Sequence, residues 1–362
     1  MAMRILVAAL NWGLGHTTRC IPLIEALKQK SIDVVIASDG EALAFLSQRF
    51  PELPAAVLPS YNIRYHSKSM VWNMVRSLPR ILKAIEEENK ATEKLIEQYD
   101  IDAIISDNRY GCHREHFFSA LIIHQINIQC PKHLKFAEPL LFRIHQRFIE
   151  PFTTCLIPDF AGPQNLSGDL SHKRKLKRME FIGPLSHLQN KKSFETVKKY
   201  KLMAICSGPE PARTNFEKLM LHELSHVELK SVLVRGTNKK FNGKAPGHVS
   251  VIDFCSSDEI SALMNESEII ISRSGYSTIM DLASTGKNAI LIPTPGQTEQ
   301  EYLAEYHHQA KRFFTMKEKD FSLKEALHQS HSFRNNFRAN EKESLNSKLD
   351  TMINLIREEY MF

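Results

Sequence analysis

No apolar run in this chain approaches the ~18–20 residues that a membrane-spanning helix needs. Met1-Ala-Met-Arg-Ile-Leu-Val enters a strand directly, so a cleavable leader is not expected. The six cysteines are scattered with no Cys-x-x-Cys spacing, which argues against structural zinc and disulfides and for a reducing cytoplasm. No Asp-x-Asp follows a strand, and neither a metal nor any other cofactor is expected. An excess of one charge sign is also small. A formal +6 suits anionic small molecules or an anionic membrane surface and is too weak to indicate nucleic acid. Short-period repeats and low-complexity blocks are missing as well.

What is present is alternation of strand and helix patterns over 362 residues, a length that fits two α/β domains better than one. In the first half, Arg4 to Leu10, Asp33 to Ser38, Asp102 to Ser106 and Leu121 to Ile128 read as buried strands. Thr17 to Lys28 and Pro79 to Tyr99 read as amphipathic helices, and Phe181 to Leu185 as a last short strand. A second alternation begins at Leu202 and runs through strands at 202–206, 231–234, 249–252, 268–272 and 288–292. The expected boundaries are 1–190 and 191–344, with the separation near residues 186–200. A C-terminal helix at 345–362 is expected to return to the first domain.

The most informative segment is Ile271-Ser-Arg-Ser-Gly-Tyr-Ser-Thr-Ile-Met-Asp281, followed by Asn288-Ala-Ile-Leu-Ile-Pro-Thr-Pro-Gly-Gln-Thr-Glu-Gln-Glu-Tyr302. A strand breaks at Gly275 and restarts as a helix, which exposes backbone N–H groups where the helix dipole favours an anion. Thr278 can add a hydroxyl donor, and Asp281 lies one turn deeper, at ribose distance from a phosphate held there. A Pro-rich loop carries Gln297, Glu299 and Gln300 toward the same edge. Together these read as a pocket for a nucleoside diphosphate.

This segment resembles the donor-binding signature of the GT-B glycosyltransferases, in particular family 28. The resemblance implies an α/β chain of two Rossmann-like lobes facing each other across a cleft, and sugar transfer from a UDP-hexose or UDP-HexNAc to a hydroxyl with inversion. It places Asp281 on the ribose, although the family usually has Glu there. Gln300 is followed by Glu301 rather than a second Gln. A nucleotide-sugar epimerase or hydrolase of the same fold, and a non-catalytic nucleotide-sugar-binding protein, remain open.

Three further loops bear on that reading. Asn11-Trp-Gly-Leu-Gly-His-Thr-Thr18 follows the first strand, with Gly13 and Gly15 allowing a sharp turn before a helix that starts near Thr17 or Thr18. His16 titrates near neutrality and can take a proton from an acceptor hydroxyl, or be a structural histidine. It resembles the Gly-His of family 28 and of the UDP-glycosyltransferases. Asp107, at a strand end, can accept from the far nitrogen of that histidine and raise its basicity, or cap a turn. Ser207-Gly-Pro-Glu-Pro-Ala-Arg213 opens the second domain. Ser207 and Gly208 fit a phosphate-facing loop, but two prolines remove amide donors. Arg213, or Arg273 beside Ser274, could supply the missing charge or lie on the surface. Finally, Ser67 to Lys83 mixes apolar and basic residues in a pattern that suits a lipid headgroup region or burial against the sheet. The resemblance to family 28 implies that the first lobe presents such a surface to a membrane or lipid acceptor, and with it a lipid-linked acceptor and a peripheral contact at the inner face of the membrane. Lys132-His-Leu-Lys-Phe136 and the basic run 172–178 could serve the same surface.

Overall fold

The computed structural model describes residues 3–61, 70–188, 197–337 and 344–360, the side chains of residues 14, 70–78, 132 and 133 excepted. Residues 67–69 of the Ser67 to Lys83 stretch, the side chains of its residues 70–78, and residues 189–196 of the expected linker therefore lie outside the described residues. The chain divides into two compact units, Met1–Leu185 with Ala339–Phe362, and Ser186–Arg338.

Unit one runs β1 (Arg4–Ala9), α1 (Leu14–Gln29), β2 (Asp33–Ser38), α2 (Gly40–Arg49), β3 (Ala55–Val57), α3 (Met70–Tyr99), β4 (Ala103–Asp107) and β5 (Ser119–Ile122). It continues through α4 (Glu138–Ile149), β6 (Thr154–Ile157), α5 (Asp169–His172) and β7 (Met179–Phe181). Its seven-stranded sheet has the order β3-β2-β1-β4-β5-β6-β7, and each adjacent pair is parallel. Ile5 to Ala9 and Ala103 to Asp107 are buried without interruption, as strands covered on both faces must be. The strand order reverses at β1, where Ala9 pairs with Asp107. The loops after β1 and β4 therefore part in opposite directions, and in open α/β sheets such a switch point is where ligands bind.

Unit two runs β8 (Tyr200–Ile205), α6 (Ala212–Leu224), β9 (Ser231–Val234), β10 (Val249–Ile252), α7 (Ser257–Glu266) and β11 (Ser267–Ser272). It is completed by α8 (Tyr276–Thr285), β12 (Ala289–Leu291), α9 (Thr298–Gln309), β13 (Phe314–Thr315) and α10 (Leu323–Ser330). The six strands are ordered β10-β9-β8-β11-β12-β13 and are again parallel. The switch point lies between β8 and β11, where Ile205 pairs with Ser272. Leu202, Ala204, Phe216, Met220, Ile271, Ile290 and Phe314 build the core beneath it.

The last helix, α11 (Leu345–Glu359), buries Leu349, Met352, Ile353 and Ile356, a spacing that keeps one face of the helix apolar. Ser344 caps it by accepting from the Ser347 N–H. Its contacts are with unit one: Lys30 donates to Asp350 at 2.5 Å, Lys348 to Glu180 at 2.5 Å, and Tyr360 meets Phe118 edge-on.

Several elements differ from the sequence pattern. The run from Leu121 to Ile128 is a strand only as far as Ile122, and the strand expected at Phe181 to Leu185 is β7, which ends at Phe181. Helix α1 starts at Leu14, so Gly15 and His16 lie in its first turn rather than in a loop. Gln297 caps α9 and Gln300 lies in its first turn, where a Pro-rich loop was expected. The polar sequence of α9 hides its helical period.

Candidate functional site

At the switch point of unit one, α1 springs from the end of β1 with Gly13 as its N-cap. Gly13 has φ +79°, a conformation that glycine adopts without strain. No side chain caps this end, and the buried Thr17 hydroxyl has no hydrogen-bond partner among the described residues. Asp107 closes β4 with 0% of its side chain exposed. His16 Nδ1 stands 2.7 Å from Asp107 Oδ1. Nδ1 thus has an acceptor, Asp107 Oδ1, at 2.7 Å and a donor, Arg19 Nη2, at 2.9 Å, and we assign its proton to the shorter contact with the carboxylate, which leaves the lone pair on Nε2.

Arg19, three residues along α1 from His16, completes the cluster and was not picked out from the sequence. Its Nε donates to Asp107 Oδ2 and its Nη2 donates to Oδ1 at 2.6 Å. Nη2 also lies 2.9 Å from His16 Nδ1, and Nη1 lies 3.1 Å from His124 Nδ1. Burial alone would raise the Asp107 carboxyl, but Arg19 and then His16 hold it below the usual carboxylate range. Burial, with the Arg19 charge second, pushes His16 below its ordinary value, against the upward pull of Asp107. Asp107 does pull His16 upward, by charge and by hydrogen bond, but burial first and the Arg19 charge second outweigh that pull. The only signal available in sequence was the i, i+3 spacing of His16 and Arg19 on one helix face.

The chain beyond Asp107 is held by a second buried arginine. Arg109, 0% exposed, donates to Glu88 of α3, to Asp39 at 2.8 Å and to the Ala9 carbonyl at 3.1 Å. Glu88 in turn accepts from the Gly111 N–H and the Tyr61 hydroxyl. This network ties the ends of β1, β2 and β4 together.

In unit two, α8 starts at Gly275 with no side-chain cap and no acidic residue in its first turn. Its N–H groups and the half-buried Thr278 face no competing anion of their own helix end. Asp281, one turn on, accepts from Ser186 Oγ at 2.6 Å and has His187 Nδ1 at 3.8 Å. Burial without a strong cationic partner pushes its carboxyl up to about 7, the Ser186 bond pulling slightly the other way. Ser274 Oγ donates to the Gln300 carbonyl. Gln300 is anchored on both sides of its amide, accepting from the Thr294 N–H at 2.9 Å and donating to Gln297 at 2.7 Å. Ser207 and Gly208 follow β8. Gly208 has φ +102° and nothing within 4 Å of where a Cβ would stand, so backbone conformation rather than space requires glycine there.

The two arginines expected to offer charge to a phosphate are engaged elsewhere. Arg213 is buried and donates to Glu210 at 2.7 Å, to Glu217 at 2.6 Å and to the Arg235 carbonyl at 3.0 Å. Arg273 is 2% exposed, pairs with Glu318 at 2.5 Å and stacks over the Phe216 ring at 4.2 Å. Their charges brace the loop after β8 and the end of β11. Any anion at this switch point would depend on helix N-termini and hydroxyls.

No histidines were expected at metal-ligand spacing, but His222-Glu223-Leu224-Ser225-His226 has the His-Glu-x-x-His spacing of a zinc-binding helix. Here α6 ends at Leu224, and His226 Nδ1 turns back to within 2.8 Å of the His222 carbonyl. Glu223 accepts from the Leu323 N–H. Among the described residues no three candidate ligands converge on a metal position.

Comparison with known proteins adds to this geometry. Residues 214–356 match the glycosyltransferase family 28 C-terminal domain. An uncharacterized glycosyltransferase of Methanosarcina acetivorans is 22% identical over 318 residues, 83% of this chain and 82% of that protein. The UDP-N-acetylglucosamine–N-acetylmuramyl-(pentapeptide) pyrophosphoryl-undecaprenol N-acetylglucosamine transferase of Desulforudis audaxviator is 40% identical over 74 residues, 20% of this chain and 19% of that one. Among solved structures, the glycosyltransferase SnogD from Streptomyces nogalater superposes with a TM-score of 0.70 at 14% identity, covering 98% of this chain and 100% of SnogD.

The unusual state of Asp281 is directly measurable. In protein without ligand, the 13C-carboxyl resonance of Asp281 is expected to titrate with a midpoint of about 7. A midpoint in the ordinary range near ~3.9 would mean that the carboxyl is not desolvated as described.

Proposed function

The chain is a GT-B glycosyltransferase similar to family 28, and from that premise we propose that it moves a sugar from a UDP-sugar to an acceptor hydroxyl with inversion. Unit two holds the donor: the N-terminus of α8 faces the diphosphate, with Ser274, Gly275 and Thr278, and Asp281 accepts from the ribose hydroxyls. The Ser207-Gly208 turn adds backbone donors, and Gln297 and Gln300 line the sugar side. Unit one supplies the base. The observation that carries the proposal is the His16–Asp107 contact of 2.7 Å, which leaves Nε2 of His16 as the atom with the lone pair.

In the proposed step Nε2 removes the acceptor proton as the acceptor oxygen attacks the anomeric carbon. The bond to the β-phosphate oxygen breaks on the opposite face, and UDP leaves with the electron pair. Helix N-termini and hydroxyls stabilise the leaving diphosphate by fixed dipoles already in place. His16 stays unprotonated at neutral pH because its pKa is lowered, which is the state a base requires.

A lipid-linked acceptor and a peripheral contact at the inner, cytoplasmic face of a membrane belong to the same proposal. In support, Phe136, Leu140 and Ile144 recur every four residues along α4 and the turn before it, and are 80%, 61% and 37% exposed. Lys135, Arg143 and Arg147 flank them, and the basic run 173–178 packs alongside through Lys173–Glu138 and Arg174 over Phe142. An apolar stripe with a basic rim fits an anionic lipid surface. No helix among the described residues is long and apolar enough to cross a membrane.

Three outcomes are expected. His16→Ala should lose ~10²–10⁴-fold in turnover while calorimetric UDP affinity holds, and the wild-type acid limb should fall below pH ~6.5. Normal turnover in the variant removes His16 as the base, whereas donor consumption without any acceptor would favour the epimerase or hydrolase. Asp281→Ala should weaken UDP binding by ~1.5–3 kcal/mol. In the wild type that affinity should rise with pH through about 7, since the ionised carboxylate accepts best. An unchanged affinity takes Asp281 out of the site. Phe136→Ser with Leu140→Ser should reduce cosedimentation with phosphatidylglycerol vesicles, and equal retention would exclude this face as the contact.

A further inference from the structure

Arg19 makes more contacts with the proposed base and its carboxylate than any residue used so far, yet it has no assigned part in the chemistry. Its guanidinium meets both oxygens of Asp107, a fork-to-fork geometry that a lysine cannot reproduce. It is 2% exposed and Asp107 is wholly buried, so neither charge is solvated and each depends on the other. His16 and Arg19 stand three residues apart on α1, on the same helix face.

Charge balance in this buried group decides where a proton can sit. With Arg19 positive and Asp107 negative, the cluster is neutral only when His16 is neutral. Without Arg19, the same carboxylate would be balanced by a protonated His16 instead. The groups that act on His16 are Arg19 from its own helix, Asp107 from β4 and His124 after β5, while Cys20 of α1 and Tyr110 beyond β4 face Asp107 and Arg19. His124 fits the same logic. A guanidinium only donates, so the 3.1 Å contact from Arg19 Nη1 is a hydrogen bond where His124 Nδ1 carries a lone pair. In that state His124 gives the guanidinium a second acceptor without adding a charge.

We propose that Arg19 is a positioning residue for sugar transfer: it clamps the Asp107 carboxylate so that His16 is held by its Nδ1–H and presents an unprotonated Nε2. The proposal rests on the reading of His16 as the base, but its central claim concerns the ring's protonation and is testable without turnover.

The experiment is a pair of 15N–1H imidazole titrations, on the wild type and on Arg19→Gln, with His16→Gln used only to assign the signal. Alongside them goes the pH profile of kcat/KM. In the wild type at pH 7, His16 is expected as the neutral Nδ1–H tautomer and His124 as the neutral Nε2–H tautomer. In Arg19→Gln the His16 midpoint should rise by about one pH unit or more, a ~tenfold change in the protonation ratio per unit. The acid limb of kcat/KM should move alkaline by the same amount, with activity recovering at high pH. Arg19→Lys, which keeps the charge but not the fork, should retain a low midpoint with reduced kcat.

An unchanged His16 midpoint in folded Arg19→Gln overturns the proposal, as does a loss of activity that is uniform across pH. If Arg19→Gln does not fold, the wild-type spectra decide: an imidazolium His16 at pH 7, or its Nε2–H tautomer, overturns the clamp. A midpoint that rises while the rate profile stays put sustains the clamp and instead removes His16 as the base, so the two readings fail separately.

Discussion

The buried negative charge of Asp107 is the constraint around which unit one is arranged. A carboxylate without solvent is costly to keep ionised, and removing the partner of such a pair typically costs about 3–5 kcal/mol. Asp107 ends β4, the strand beside β1, so its partners must come from the helix that follows β1. That requirement sets the rotation of α1: the face carrying His16 and Arg19 turns toward the sheet edge. Arg109 repeats the arrangement one step along the chain, drawing Asp39 and Glu88 to the ends of β1, β2 and β4. The carboxyl edge of this sheet is therefore held by two arginines, each with both ends of its fork engaged.

Unit two uses the same material differently. Glu217 is buried between Arg213 and Arg235, and Arg273 lies between Glu318 and the face of Phe216. These pairs stiffen the loops beside the β8–β11 switch point without offering a charge to a ligand. What stays available there are dipoles and hydroxyls.

The two parallel-sheet α/β domains were legible in the sequence because strands buried on both faces read as unbroken apolar runs, as in Arg4 to Leu10 and Glu268 to Ser272. The short strands β3, β6 and β13 left no run to read. Helix α4 was hidden because Leu140 and Ile144 face outward and blur its period, and α9 because it is almost wholly polar. At the candidate site the residue types at loop positions were readable, so His16, Asp107, Gly275 and Asp281 could be named. Partnership was not. Nothing local to Arg19 says that it meets a residue 88 positions away, and nothing local to Arg213 or Arg273 says that their charges are already engaged.

The clearest product of tertiary structure is the contrast between two aspartates of the same chemistry. Asp107 and Asp281 each stand close to a switch point, one at a strand end and the other one turn into a helix. Asp107 has an arginine fork that, with His16, holds its carboxyl below the usual carboxylate range against the upward push of burial. Asp281 has a serine hydroxyl and a histidine at 3.8 Å, and burial lifts its carboxyl to about 7. Environment alone separates them. A permanently charged carboxylate can hold a neighbouring imidazole in one tautomer, which is a structural duty that must not vary. A carboxyl that burial poises near neutrality carries no charge that a partner must balance at all times.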